Sequence, residues 1–148
     1  MSFVPEDQKQ NLAQYYFDKI SNNTHTSEKL AYEWSRYGLT LSKKNIEESQ
    51  IEQIMVNYED ASFKICIELY YALNYFFIED GYVFNQAELI KAPTTIIHGS
   101  QDYLCPVYEA EILQSIIKGS KLVICNAGHS ASEPIVENAL KEAISNYS

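Results

Sequence analysis

The pattern of the chain after residue 90 constrains its fold most. β-Branched residues over 94–97 predict a strand, 107–117 a helix, 121–125 a second strand, and 134–147 a closing helix that begins at a proline. Strands that alternate with helices through short connections are typical of parallel sheets with right-handed crossovers. Because a parallel sheet is buried on both faces, two strands are too few to make a stable sheet alone. We therefore expect this region to be the edge of a larger α/β sheet.

The sequence before residue 90 has a helical pattern instead. Apolar residues at helical spacing predict a first helix that begins near Pro5 and a second helix that Ser27 caps. Residues 45–58 predict a helix, or a loop and a helix, with few apolar positions. Residues 60–78 predict a third, much more apolar helix that Gly81 ends. We interpret this first part as an α-helical insertion ahead of the α/β part.

Composition argues against several classes of partner and location. Twenty acidic and eleven basic residues give a formal net charge of −9, which disfavours nucleic acid and anionic membranes as partners. No apolar run reaches the roughly 20 residues that a membrane span needs, and no signal segment is visible. Cys66, Cys105 and Cys125 are an odd number without C-x-x-C spacing, which favours reduced thiols. The sequence therefore predicts a cytoplasmic protein.

Two polar segments follow the two predicted strands. The segment HGSQDYLCP carries Asp102 after the first strand, and NAGHSASEP carries His129 after the second. Because the carboxyl ends of parallel strands share one edge of a sheet, we expect these two side chains to lie close together. A carboxylate in that position accepts the Nδ1 proton of the imidazole, whose other nitrogen then serves as a general base. An acid followed by a histidine, both late in the chain, is the order found in α/β-hydrolases.

Other interpretations of these residues stay open. Asp102 alone could cap a turn, and His129 alone could simply occupy a loop. A metal site of His98, Asp102 and His129 lacks the ligand spacing of known motifs, so no metal or cofactor is predicted. A nucleophilic pair of Cys105 and His129 is a further alternative, although nothing in the sequence indicates a low thiol pKa.

The two segments resemble proline iminopeptidase, a serine peptidase of the α/β-hydrolase fold. In that family the penultimate strand ends with histidine, glycine, two residues and the triad acid, and a Cys-Pro pair comes next. Residues 98–106 match this pattern. It carries its histidine in Gly-His-Ser-Ala-x-Glu-Pro, which residues 128–134 match. Upstream, VPEDQKQNLAQYY, AYEWSRYG and IELYYALNYFF resemble its helical cap. The resemblance implies a C-terminal fragment of an α/β-hydrolase: a partial helical cap over 1–88, then the last two parallel strands with flanking helices over 89–148.

Glu68 is an unusual residue in the most apolar predicted helix. An unpaired buried carboxylate costs several kcal/mol, so Glu68 either pairs with Lys64 on a solvated stripe or faces a cavity that supplies a cation. The family uses the matching glutamate to bind the free amino group of its substrate, so the resemblance implies a substrate-binding role. Two departures weaken the case for a proline site: Gly38 stands where the family has an acid, and Ala72 where it has an aromatic residue.

The sequence contains no recognisable nucleophile. An α/β-hydrolase carries its serine in G-x-S-x-G and builds an oxyanion hole from an early glycine-rich loop. The five glycines of this chain frame no serine in that way, and Ser130 directly follows His129. We therefore expect the C-terminal half of a hydrolase that releases N-terminal proline from peptides, with Asp102 and His129 as catalytic residues and no activity alone. A separate N-terminal half would supply the serine and the oxyanion hole.

Two other functions remain compatible with this sequence. One is a non-catalytic remnant that covers its exposed sheet edge by forming a homo-oligomer. The other is a module that binds amines or peptides without cleaving them.

Overall fold

The computed structural model describes residues 4–22, 25–56 and 61–147. Within these residues the chain forms seven α-helices, two strands and two short 3-10 turns, at Glu6–Asn11 and Tyr75–Phe77. The helices and strands are, in chain order, α1 (Leu12–Ser21), α2 (Ser27–Ser42), α3 (Glu48–Met55), α4 (Ala61–Leu73), α5 (Tyr82–Ala87), β1 (Thr95–Gly99), α6 (Val107–Ile116), β2 (Lys121–Cys125) and α7 (Pro134–Ser145). None of the described helices has both the length and the apolar character that crossing a bilayer requires.

The α/β pattern predicted after residue 90 is confirmed. β1 and β2 pair in parallel, with Thr95 opposite Lys121 and Gly99 opposite Cys125. β1 extends two residues beyond its predicted end at Ile97, because the parallel ladder continues as far as Gly99. Helix α6 follows β1, and helix α7 follows β2 with proline in its first turn, where a missing N–H costs nothing.

The helical part differs from prediction at several helix ends. Ser27 is the first residue of α2 rather than its cap, and its hydroxyl donates a hydrogen bond to the carbonyl of Lys19, 3.2 Å away. The third helix is shorter than predicted, since α4 ends at Leu73. Tyr75, Phe76 and Phe77 then have positive φ angles of 51°, 53° and 57°, a left-handed backbone that cannot continue a right-handed helix.

Gly81 has a different role from the one predicted. Its φ of 71° places it in the left-handed region that glycine adopts without strain, and it lies at the N-cap of the short helix α5 instead of ending α4. Helix α5 was not predicted from the sequence. Positions 57, 58 and 60 of the predicted helices lie outside the described residues.

The chain divides into two compact units. The first comprises Met1–Leu39 and Glu47–Asp80. In it α1 packs against α4, and the buried side chains of Tyr16, Ile20 and Leu69 are at most 2% exposed. The described residues of this first unit therefore form an apolar core built mainly from helices, to which Val4, ahead of the first turn, also contributes.

The second unit comprises Thr40–Ile46 and Gly81–Ser148 and contains the sheet. Its buried cluster is small and consists of Cys125, Ala127 and Val136, against which two further side chains pack. Val123 and Ile124 are successive residues of β2 and point to opposite faces of the sheet, yet they are 39% and 48% exposed. The described residues therefore leave both faces of β2 partly uncovered, which is unusual for a parallel strand.

Candidate active site

Asp102 and His129 lie on the loops that leave the carboxyl ends of β1 and β2. The parallel register continues beyond the strands, because the backbone N–H of Ser100 donates to the carbonyl of Cys125 at 2.8 Å. The N–H of Gln101 donates to the carbonyl of Ala127 at 2.9 Å. The two loops are therefore held side by side at one edge of the sheet, as the sequence predicted.

The two predicted catalytic side chains are in direct contact. Nδ1 of His129 lies 2.9 Å from Oδ2 of Asp102. The carboxylate is almost fully buried, with 3% of the side chain exposed, whereas the imidazole is 45% exposed. This is the arrangement in which a buried acid orients a histidine whose far side stays accessible.

Backbone donors fix the carboxylate of Asp102 in its ionised form. Its Oδ1 accepts hydrogen bonds from the N–H groups of Leu104 and Cys105, both at 2.9 Å. Burial alone would raise the pKa of Asp102, but the hydrogen bonds from Cys105, His129 and Leu104 outweigh it and hold that pKa below its ordinary value. The carboxylate therefore stays ionised at neutral pH.

The hydrogen-bond partners of His129 and His98 indicate which ring nitrogen of each donates a proton. An ionised carboxylate only accepts, so His129 donates from Nδ1, and in the neutral ring Nε2 then carries the lone pair. Among the described residues, Nε2 of His129 has no hydrogen-bond partner and is accessible for proton transfer. His98 donates from Nε2 to the carbonyl of Cys105 at 2.9 Å and lies 3.5 Å from Oδ2 of Asp102. His98 thus supports the loop that presents Asp102.

A close approach of two glycines brings the loops together. A Cβ added to Gly99 would lie 2.0 Å from the carbonyl oxygen of Gly128 and 2.6 Å from that of Ala127. A Cβ added to Gly128 would lie 2.8 Å from the carbonyl oxygen of Ser42. Any larger residue at either position would push backbone against backbone. Gly99, three residues before Asp102, and Gly128, directly before His129, are therefore required by packing.

Glu133 is a residue of this site to which the sequence analysis gave no role. Its Oε1 accepts the N–H of Gly128 at 2.8 Å and the N–H of Lys44 at 3.4 Å. The N–H of Ser130 donates to the carbonyl of Ser42 at 2.8 Å. The loop that carries His129 is therefore held on both sides of the imidazole. The signal in the sequence was a glutamate directly before the proline of a helix, where its side chain can reach back to the preceding loop.

Ser130 is engaged locally. Its Oγ lies 2.8 Å from Oγ of Ser132 and 3.4 Å from the N–H of Ser132. The Ser130 hydroxyl is therefore hydrogen-bonded within the turn that follows His129.

Cys105 completes a cluster of polar ligand atoms at the same sheet edge. Asp102, Cys105 and His129 each offer one ligand atom, and these atoms lie within 4.8 Å of one another. This set contains Cys105 in place of the His98 of the metal alternative considered from the sequence. Burial, with added effects of Asp102 and Glu109, raises the pKa of the Cys105 thiol. A raised pKa disfavours the thiolate, which argues against a nucleophilic Cys105–His129 pair.

Glu68 lies in the first unit and contacts the tryptophan of that unit. Its Oε1 accepts a hydrogen bond from Nε1 of Trp34 at 3.0 Å. The rings of Tyr16 and Tyr37 flank Trp34, with ring centroids 5.1 and 6.4 Å from it. The structure thus joins Glu68 to the tryptophan segment, a contact that neither of the two sequence interpretations of Glu68 included. Glu68 is exposed, so no buried unpaired carboxylate arises.

Curated proteins similar to this chain carry one family name. The sequence is 27% identical over 146 residues to a protein of Leptolyngbya boryana named probable proline iminopeptidase, across 97% of this chain and 45% of that protein. It is 32% identical over 102 residues to the proline iminopeptidase of Xanthomonas citri, across 65% of this chain and 33% of that protein. The chain therefore spans less than half the length of the curated relatives that it matches. No protein-family model matches the sequence.

The comparison with solved structures identifies the fold. An esterase from Exiguobacterium antarcticum aligns with 97% of this chain and 52% of its own length, with a TM-score of 0.57 and 17% sequence identity. The parallel strand pair and its helices match a fragment of an α/β-hydrolase, as the sequence predicted. The chain is therefore similar in sequence to proteins named proline iminopeptidase, and its fold is that of part of an α/β-hydrolase.

Proposed function

We propose that this chain supplies the acid–base residues of a serine hydrolase that releases proline from the N-terminus of peptides. The observation that carries the proposal is the 2.9 Å contact between a buried carboxylate, Asp102, and an exposed imidazole, His129. The names of the relatives support the choice of substrate. The nucleophilic serine and the oxyanion hole would come from polypeptide outside these 148 residues.

In this proposal His129 is the general base and then the general acid. Nε2 of His129 removes the proton from the serine hydroxyl as the serine oxygen attacks the carbonyl carbon of the N-terminal residue. The imidazolium then gives that proton to the leaving amine, and an acyl-enzyme remains. In the second half, Nε2 takes a proton from water as the water oxygen attacks the acyl carbon. The imidazolium then gives that proton to the departing serine oxygen, and free proline is released. Asp102 stays ionised throughout and stabilises the imidazolium.

The exposure of strand β2 supports the idea that a second polypeptide completes the sheet. Val123 and Ile124 lie on opposite faces of β2 and are both exposed, so each face of this strand has room for further packing. Parallel strands are normally covered on both faces. A segment that completes the sheet would bury these side chains and would bring the serine to the edge where Asp102 and His129 lie.

A reconstitution experiment tests this function directly. The chain is mixed with the part of the Leptolyngbya boryana relative that lies outside the aligned region, and hydrolysis of a prolyl arylamide is measured. We expect activity in the mixture, none in either part alone, and a loss of at least about 10³-fold in the mixture with His129→Ala. His25→Ala is the matched control, because His25 is an exposed residue of the first unit.

Two results would contradict the proposal. One is turnover by this chain alone that disappears in His129→Ala. The other is a reconstituted activity that His129→Ala leaves intact.

Amine binding by the first unit is a second candidate function, and the contact between Glu68 and Trp34 favours it. Only Oε1 of Glu68 is used in this contact, and Oε2 has no hydrogen-bond partner among the described residues. The second oxygen of this carboxylate can offer a cation a charge-assisted hydrogen bond. We propose that Glu68 binds the amino group of a substrate or ligand.

Calorimetry with prolinamide tests this role of Glu68. Loss of a charge-assisted hydrogen bond costs about 1.5–3 kcal/mol, so Glu68→Gln should weaken binding roughly 10- to 100-fold. Glu79→Gln is the control, because Glu79 is an exposed glutamate of the same unit. Equal affinity in the chain and in Glu68→Gln would rule out the role.

The cytoplasmic location also belongs to the proposal. Cys66, Cys105 and Cys125 are all free thiols in the structure, and reduced thiols fit a reducing compartment.

A further inference from the structure

We propose that Asp102, Cys105 and His129 form a binding site for a divalent cation of the zinc class. Their three ligand atoms lie within 4.8 Å of one another, and no other group of this kind occurs among the described residues. A carboxylate oxygen, a thiol sulfur and an imidazole nitrogen are together the ligands that Zn²⁺ prefers. Mg²⁺ and Ca²⁺ prefer oxygen ligands alone and fit this set poorly.

The distances allow a tetrahedral site after small movements. Ligand atoms of tetrahedral Zn²⁺ lie about 3.3–3.5 Å apart, given metal–ligand bonds of about 2.0–2.3 Å. The Asp102 oxygen and the His129 nitrogen are already 2.9 Å apart and must separate slightly. The three ligand atoms lie within 4.8 Å of one another, so the Cys105 sulfur must come closer by about 1 Å. Three protein ligands leave the fourth position to water.

Backbone hydrogen bonds hold the carboxylate ready for a cation. Oδ1 of Asp102 is fixed by the N–H groups of Leu104 and Cys105, which leaves Oδ2 as the ligand atom. Outer contacts of this kind orient metal ligands in proteins. Cys105 binds as a thiolate, so its proton passes to solvent when the cation enters, and His129 binds through Nδ1 as the neutral tautomer that carries its proton on Nε2.

A bound cation and the hydrogen bond between His129 and Asp102 cannot be present at the same time. A cation bound to Oδ2 of Asp102 and to the imidazole of His129 occupies the space of their hydrogen bond. In a reconstituted hydrolase the cation would therefore be an inhibitor. This consequence rests on the proposed function, whereas the site itself does not.

Cobalt titration of the purified, reduced chain tests the site. Co²⁺ bound by a thiolate absorbs in the near ultraviolet, and Co²⁺ with four ligands absorbs strongly in the visible. We expect both absorptions in the native chain and in Cys66→Ala, the matched control, and loss of the ultraviolet absorption in Cys105→Ala. His129→Gln should weaken binding more than about tenfold, because loss of an outer contact to a metal ligand already costs about 10- to 100-fold in affinity. The proposal is wrong if the native chain shows no ultraviolet absorption or if Cys105→Ala retains it.

A second measurement needs no variant. In NMR spectra of the native chain, Zn²⁺ should shift the imidazole signals of His129 and leave those of His25 unchanged. Signals of both histidines that move together would indicate nonspecific binding and refute the site. Cobalt absorption without inhibition of the reconstituted enzyme would contradict the proposed function and leave the site standing.

Discussion

Gly99→Ala is the sharpest test of the packing that brings the two loops together. The added methyl would lie 2.0 Å from the carbonyl oxygen of Gly128, 2.6 Å from that of Ala127 and 2.8 Å from the carbonyl carbon of Gly128. Ordinary contact begins at about 3.4 Å, so the two backbones must separate by more than 1 Å. All three atoms belong to the backbone, and none can move aside by a change of rotamer.

The expected destabilisation follows from this clash. Overpacking costs typically about 1–3 kcal/mol, and a clash with backbone places Gly99→Ala at the upper end, about 3 kcal/mol. For a chain of this length, that loss lowers the melting temperature by roughly 6–12 °C. Because the clash falls on the loop of His129, the contact between Nδ1 of His129 and Asp102 should also be lost.

Urea denaturation followed by circular dichroism measures the free energy of unfolding. Gly38→Ala is the control, and it should not lower the free energy of unfolding, because a Cβ at Gly38 meets nothing within 4 Å. Gly38 lies inside α2, where alanine is favoured over glycine by about 1 kcal/mol. The reasoning fails if Gly99→Ala unfolds within about 0.5 kcal/mol of the native chain, the usual range of harmless substitutions.

Three further predictions concern the second unit, including its exposed strand β2. Glu133→Ala leaves the buried N–H of Gly128 without its acceptor and should cost about 1–3 kcal/mol in urea denaturation, whereas Glu133→Gln, which keeps an acceptor oxygen, should recover most of that loss. Asp102→Asn should destabilise the chain at neutral pH, because the pKa of Asp102 is lower in the folded chain than its ordinary value of 3.8, and the ionised carboxylate therefore stabilises the fold. This stabilisation is complete above pH 3.8 and is lost as the pH falls through the folded pKa, so the difference in free energy of unfolding between the native chain and Asp102→Asn should shrink below about pH 3.8. A difference that stays constant with pH would contradict a lowered pKa of Asp102. Light scattering over a range of concentrations should show self-association of the isolated chain, driven by the exposed Val123 and Ile124, and Ile124→Lys should reduce it; a monomer at every concentration would contradict this expectation.

The local sequence already determines much of this protein. Alternation of apolar strands with helices was enough to predict β1, α6, β2 and α7, because each of these elements has its own periodicity and its own end signals. The parallel pairing followed from connections that contain a helix. Parallel pairing in turn placed Asp102 and His129 at one edge of the sheet, so the candidate pair could be predicted from 27 residues of spacing.

The sequence was least informative where the backbone leaves regular geometry. The end of α4 depends on a left-handed turn at Tyr75–Phe77, which bulky aromatic residues give no reason to expect. The role of Gly81 before α5 was missed for the same reason.

Only the tertiary structure decided which residues support the pair and hold it in place. The hydrogen bond that Glu133 accepts from the N–H of Lys44 joins positions 89 residues apart, and no local pattern reports such a contact. The contact between Glu68 and Trp34 likewise spans 34 residues. Periodicity reports which face of an element is apolar, whereas the meeting of distant side chains depends on how whole elements pack. The sequence therefore determined the elements and the candidate pair, and packing determined its supports.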